Sequence, residues 1–106
     1  MSYKLYYFDM RGRAEVIRLV LAAAGVEFQD IRFSRNEWMA KYKAMAPTGV
    51  APFLDDPVTG STLVQSNPIA ALLAKRFNLM SSDPFECYLV DRLIYQVSTY
   101  IRVHEL

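Results

Sequence analysis

Leu5-Tyr6-Tyr7-Phe8-Asp9-Met10-Arg11-Gly12-Arg13-Ala14-Glu15 decides how this chain is read. An apolar, aromatic strand runs into a glycine-containing turn and then into a basic, helix-forming segment. Tyr7 therefore stands at the carboxyl end of a first strand, facing the start of a helix. In open α/β sheets ligands bind outside the carboxyl ends of the strands, and a phenol placed there can donate a hydrogen bond to a bound molecule. Tyr6, its neighbour, points to the opposite face, because side chains alternate along a strand.

The rest of the chain falls into place around that stretch. Residues 3–8 read as a strand and residues 12–24 as a helix, with Ile17, Val20, Leu21 and Ala24 on one face. Gly25 stops the helix. Residues 26–33 read as a second strand, although apolar parity shifts between Phe28 and Ile31, which suggests a bulge or an early end. Ser34-Arg35-Asn36-Glu37 is a polar connector, residues 37–45 a short helix, and Pro47-Thr48-Gly49 its break. A third strand over 50–54 contains Pro52, turn residues fill 55–60, and 61–64 return as the second arm of a hairpin. Ser66 caps a helix over 67–77, with Ile69, Leu72, Leu73 and Phe77 on one face. A βαβ crossover demands parallel strands and the hairpin antiparallel ones. The spacing thus predicts an α/β, thioredoxin-like four-stranded mixed sheet with flanking helices. On this reading residues 1–78 form one domain and 79–84 a linker. Residues 85–106 open a truncated all-helical domain, whose helix over 85–103 carries Leu89, Leu93, Val97 and Tyr100 or Ile101 on one side.

Composition narrows the function. The 106 residues are 53% hydrophobic and carry a net charge of +1, which describes a globular domain with a core and gives no basic surplus for nucleic acid. The longest apolar run, residues 19–24, is far short of the roughly 20 residues needed to cross a bilayer. Met1-Ser2-Tyr3-Lys4 lacks the apolar core of a signal peptide, so a cytoplasmic location is expected. One cysteine, Cys87, and one histidine, His104, leave no disulfide framework, no C-x-x-C pair and no strong metal cluster. A buried or idle thiol is the ordinary reading of Cys87.

Several motifs in order resemble one family. Residues 7–15 (Tyr-Phe-Asp-Met-Arg-Gly-Arg-Ala-Glu), Trp38, Ala51-Pro52 and Gln65-Ser66 look like the amino-terminal domain of a cytosolic glutathione transferase, of sigma class or similar helminth type, the group that includes haematopoietic prostaglandin D synthases. The resemblance is continuous over 3 to about 77 and weaker beyond Pro84. It implies that the domain binds glutathione as co-substrate and activates its thiol for attack on a small hydrophobic electrophile. Prostaglandin isomerisation is a narrower version of that activity. It also implies a homodimer of the full-length protein.

The resemblance distributes roles among the residues. Tyr7 matches the catalytic tyrosine: a neutral phenol donating to a thiolate favours the charged form and lowers the thiol pKa. A shift of about two units needs about 2.7 kcal/mol, and one hydrogen bond to a charged group supplies about 1.5–3 kcal/mol. Tyr7 as a plain strand aromatic is the competing reading. Arg13 matches an arginine beside the active site and competes with a solvated helix arginine. Pro52 matches a cis-proline, which turns the main chain of Ala51, after Val50, toward the cysteinyl unit; an ordinary edge-strand proline is the alternative. Gln65 and Ser66 match the start of a helix that holds the γ-glutamyl carboxylate, and Ser66 as a simple cap is compatible with that. Trp38 and Lys43 match residues at the glycyl end. The segment to Pro47 is one residue longer than the family pattern, so Lys41 competes with Lys43.

Further departures accompany the match, among them Asn67-Pro68 where a pair of small or aliphatic residues is usual. Ala51 stands where a larger aliphatic is usual, and Thr99, with Asp91 two turns earlier, stands where relatives place an acidic residue that crosses the dimer. A glutathione- or ligand-binding homologue without catalysis, of crystallin or carrier type, or an inactive fragment, is the alternative function. A glutaredoxin-like reductase would need a cysteine at Met10-Arg11-Gly12-Arg13, where there is none.

Overall fold

The computed structural model describes the backbone of residues 2–104 and the side chains of residues 2–100. Its order of strands is β1 (Tyr3–Phe8), β2 (Phe28–Phe33), β3 (Phe53–Asp55) and β4 (Thr62–Val64). They form one sheet in the order β2-β1-β3-β4. β2 runs parallel to β1 from Tyr3↔Phe28 to Phe8↔Phe33, while β3 is antiparallel to β1 and β4 antiparallel to β3. The mixed four-stranded sheet is the one the hydrophobic spacing predicts.

Contacts divide the chain into two compact units. The first holds the residues through Met10 together with Glu27–Gln65, and so contains the whole sheet. Its core is aromatic: Tyr6, Phe33, Trp38 and Phe53 are buried with Ala46, and Phe8, Ile31, Tyr42, Ala51 and Val64 pack against them. Tyr6 stacks on Phe53 at 4.5 Å, and Phe33 stacks on Tyr42 at 4.6 Å and on Trp38 at 5.4 Å. On the alternate face of β1, Tyr3, Leu5 and Tyr7 are also buried.

Three helical pieces follow β2 without interruption: α2 (Arg35–Glu37), a π turn (Trp38–Tyr42) and α3 (Lys43–Met45). Helical structure thus begins two residues before the expected position 37. Ser34 and Glu37 form a reciprocal capping box, in which the Ser34 hydroxyl accepts from the Glu37 N–H at 3.1 Å and the Ser34 N–H donates to the Glu37 carboxylate at 2.8 Å. These two bonds hold the Glu37 carboxyl below its usual range. The stretch read as a polar connector is a helix start of the S-x-x-E type.

The second unit comprises Arg11–Val26 and the chain from Ser66 onward. A 3-10 turn (Gly12–Ala14) leads into α1 (Glu15–Ala23); α4 (Ser66–Arg76) and α5 (Pro84–His104) pack with α1. Val16, Ile17, Leu21, Ile69, Ala70, Leu73, Ala74 and Ile94 are among its buried residues. Both α1 and α4 end in the same device. The Val26 N–H reaches back to the Leu21 carbonyl and the Leu79 N–H to the Ala74 carbonyl, while Gly25 and Asn78 take the left-handed conformation in between. α5 begins where Asp83 caps it, accepting from the Glu86 N–H at 3.0 Å, with Pro84 as its first residue.

Three boundaries correct the sequence reading. β2 starts at Phe28 and keeps an unbroken parallel register, with no bulge. The irregular apolar parity arises because it is an edge strand, with Ile31 and Phe33 on the aromatic core while Asp30 and Arg32 on the alternate face are exposed. β3 starts at Phe53 rather than at 50, because Pro52 has no N–H to give to a ladder. Ser66 is the first helical residue of α4 rather than the residue before it.

Candidate functional site

The sheet register assembles the site. β1 pairs with β3 as Tyr6↔Phe53, and β3 with β4 as Phe53↔Val64. Tyr7, Pro52 and Gln65 are each the next residue in sequence beyond that last row of pairs. Three motifs well separated in sequence thus adjoin the same end of the β1–β3–β4 ladder.

The two adjacent tyrosines lie on opposite faces of β1. Tyr6 faces the aromatic core, and its hydroxyl donates to Asp55 Oδ2 at 3.1 Å. Burial, then the Asp55 charge and that hydrogen bond, push the Tyr6 phenol up to about 12. Asp55 is held from its other oxygen by the Thr62 hydroxyl at 3.0 Å. Tyr7 lies on the other face, buried, with its ring edge-on to Phe8 at 5.6 Å.

The turn after Tyr7 is gripped by the end of β2. Arg32, paired in register with Tyr7, donates to Asp9 at 3.1 Å and to Asp30 at 3.0 Å. The Arg35 guanidinium lies 5.9 Å from the centre of the Phe8 ring, and Phe8 in turn meets Phe33 and Trp38 at 5.0 and 5.6 Å. Trp38 is buried, and Lys43, five residues on, is exposed. Lys41 lays its ammonium 5.1 Å from the centre of the Tyr42 ring.

The Ala51–Pro52 peptide bond is cis, Val50 before it is exposed, and Pro52 is buried. Gln65, between β4 and α4, takes a φ of 75°. A non-glycine residue in that region costs about 1–3 kcal/mol and persists where the surroundings over-determine it, commonly at ligand sites. No feature of the sequence announces this conformation. Ser66 follows at the first turn of α4 and Arg13 stands exposed in the 3-10 turn; both belong to the second unit. There the buried Arg18 side chain donates to the Arg11 carbonyl at 3.2 Å, tying that turn to α1.

Elsewhere, the Thr99 hydroxyl donates to the Tyr95 carbonyl of its own helix at 2.9 Å. The Cys87 thiol, half-buried, donates to the Ser81 carbonyl at 2.7 Å. Among the described residues, no three His, Cys, Asp or Glu side chains gather into a metal cluster, and no helix is long and apolar enough to cross a membrane.

A mixed sheet in this order, with a cis-proline leading into β3, defines a thioredoxin-like domain. Residues 3–75 match the family model for the glutathione S-transferase amino-terminal domain, and the chain belongs to that family. It is 40% identical over 97 residues to a class-mu 28 kDa glutathione S-transferase isozyme of Schistosoma japonicum, covering 89% of this chain and 47% of that protein. It is 36% identical over 100 residues to the hematopoietic prostaglandin D synthase of Gallus gallus, covering 94% of this chain and 49% of that protein. Among solved structures, monomeric Na-GST-3 of the hookworm Necator americanus superposes with a TM-score of 0.78 at 44% identity, covering 95% of this chain and 48% of that one. The chain spans about half the length of the curated relatives it matches.

Proposed function

We propose that this chain binds glutathione across Tyr7, Pro52 and Gln65, and that the Tyr7 hydroxyl stabilises the bound thiolate for attack on a hydrophobic electrophile. The observation that supports the reading is the register, whose last pairs, Tyr6↔Phe53 and Phe53↔Val64, each adjoin one of these three residues. Tyr7 donates its hydroxyl proton as a hydrogen bond and keeps it. The thiol loses its own proton to solvent, and the thiolate forms the new carbon–sulfur bond as the electrophile's leaving group departs or its double bond accepts the electron pair.

The remaining roles follow the family match. The main chain of Val50 and Ala51 pairs with the cysteinyl unit, Gln65 and Ser66 hold the γ-glutamyl end at the start of α4, and Trp38 and Lys43 hold the glycyl end. Arg13 supports the thiolate from the 3-10 turn. Residues 1–78 constitute the glutathione-binding domain, 79–84 the linker, and the helix from residue 85 opens an all-helical domain. In the whole protein we place this assembly as a cytoplasmic homodimer, in which Thr99 or Asp91 alters the cross-dimer contact.

The test is conjugation of glutathione to an aryl halide by the chain and by its Tyr7→Phe variant. A fall of roughly 10- to 100-fold in kcat/KM, the equivalent of about 1.5–3 kcal/mol for one hydrogen bond to a charged group, supports the reading. Equal rates in the two proteins would remove Tyr7 from the chemistry, and glutathione binding without turnover in either would leave a binding homologue instead.

A further inference from the structure

Asn67 and Pro68 stand in the first turn of α4, where local chemistry opposes a helix start. Gln65, the residue before the turn, is not of a capping type and takes the left-handed φ of 75°. A proline disfavours the helical region for the residue preceding it, which here is Asn67. A bond from outside the turn reaches that residue: the Ser98 hydroxyl of α5 donates to Asn67 Oδ1 at 3.0 Å. We infer that Asn67 and Ser98 are positioning residues, whose bond ties the first turn of α4 to α5 and so aims the N–H groups of that turn at the γ-glutamyl carboxylate. This inference rests on the glutathione reading above and adds to it the device that sets the anion-binding end of α4.

The bond lies where the two helices meet. Asn67, Ala70 and Ala74 stand at i, i+3 and i+7 on one side of α4, and Ile94 and Ser98 at i and i+4 on one side of α5. Ala70, Ala74 and Ile94 are buried, and α4 packs with α5. The distance between packed helices depends on the side chains at the contact. Two alanines allow a close approach, which brings a short serine within reach of a short asparagine. Both partners are half-buried, so breaking the bond leaves a polar group partly shielded from water.

Pro68 makes the position of this turn matter. The first four N–H groups of a helix have no partner within it, and an anion at the tip is held by them. Proline has no N–H, so the donors ahead of Ile69 reduce to those of Gln65, Ser66 and Asn67. Asn67 carries one of the three and also receives the tether. A displaced turn therefore weakens the carboxylate contact before any other, since Val50, Ala51 and Trp38 stand on different segments.

The test is calorimetric titration of glutathione and of γ-aminobutyryl-cysteinylglycine, the same peptide without the γ-glutamyl carboxylate. Both are titrated into the chain, Ser98→Ala, Ser98→Thr, Asn67→Ala and the double alanine variant. We expect the chain to prefer glutathione by roughly 10- to 100-fold. Ser98→Ala should cut that preference by roughly 3- to 10-fold with affinity for the shorter peptide unchanged, and Ser98→Thr, which keeps the hydroxyl, should restore it. Asn67→Ala should act like Ser98→Ala, and the double variant should lose no more than either alone. A full preference in Ser98→Ala, an equal loss for both peptides, or additive losses in the double variant overturns the inference. Equal binding of the two peptides by the chain overturns the inference alone; no binding of either by the folded chain overturns the glutathione reading with it.

Discussion

The two faces of β1 use the same residue type in opposite ways. On one face Tyr6 stacks on Phe53 and gives its hydroxyl to Asp55, inside an aromatic cluster that also contains Phe33 and Trp38. On the other, Tyr7 is buried against Phe8, one residue beyond the row of pairs that Pro52, in a cis peptide, and Gln65, in a left-handed conformation, also adjoin. Strand alternation alone separates the two tyrosines. A single strand thus carries a phenol tied into the aromatic core beside the phenol to which we assign the chemistry. Exchanging the two roles would need a one-residue slip of register, which would turn every side chain of the strand over.

The comparison can be broken most severely from the structural side. Phe33→Ala removes the ring on which both Trp38 and Tyr42 stack, and should cost about 3–5 kcal/mol of stability, read as a lower denaturant midpoint. Loss of glutathione binding should accompany it, because Trp38 loses its support. A cost below 1 kcal/mol would mean that the cluster does not hold the segment.

Ser34→Ala is next. It removes one half of the capping box and should lower stability by about 1 kcal/mol, with Glu37→Gln retaining most of it. The same variant tests whether the helix start at Arg35 is set locally by Ser34, in which case helical content by circular dichroism falls slightly. An unchanged midpoint would assign the start to packing alone.

The smallest effect is on pH dependence. The folded pKa of Tyr6, near 12, lies above the ordinary value of 10, so the unfolded chain releases this proton first as pH rises. The stability that Tyr6 contributes is therefore complete below pH 10 and is lost as pH climbs through about 12. Tyr6→Phe should narrow its gap from the unmodified chain over that window and show a constant gap between pH 7 and 9. A gap that widens above pH 10 would contradict the Tyr6–Asp55 pairing.

Much of the fold was legible because it rests on local chemistry. The aromatic strand before Gly12, the stop at Gly25 and the turn residues from Asp55 to Gly60 follow from residue type and spacing, and they sufficed for the mixed sheet, while α5 begins at Pro84, one residue before the expected position 85. Ser34 and Glu37 carried a readable cap that the polar composition around them disguised. The π turn was not legible, since nothing in Trp38-Met39-Ala40-Lys41-Tyr42 disfavours an α turn; the demand comes from Phe33, on another element. Gln65 was legible as a site residue, but its φ of 75° was not, because that conformation opposes the local preference of a non-glycine residue. The candidate site residues were picked out in sequence by family motifs, but that Tyr7, Pro52 and Gln65 adjoin the same end of the ladder is a property of strand register, which no single segment encodes.

The most direct test of the account is an ultraviolet titration of the glutathione thiolate bound to the chain, to Tyr6→Phe and to Tyr7→Phe. The account predicts a thiol pKa well below that of free glutathione in the chain and in Tyr6→Phe, returning toward the free value in Tyr7→Phe alone. A thiol pKa that is unshifted in the chain, or that moves with Tyr6 and not with Tyr7, would contradict it.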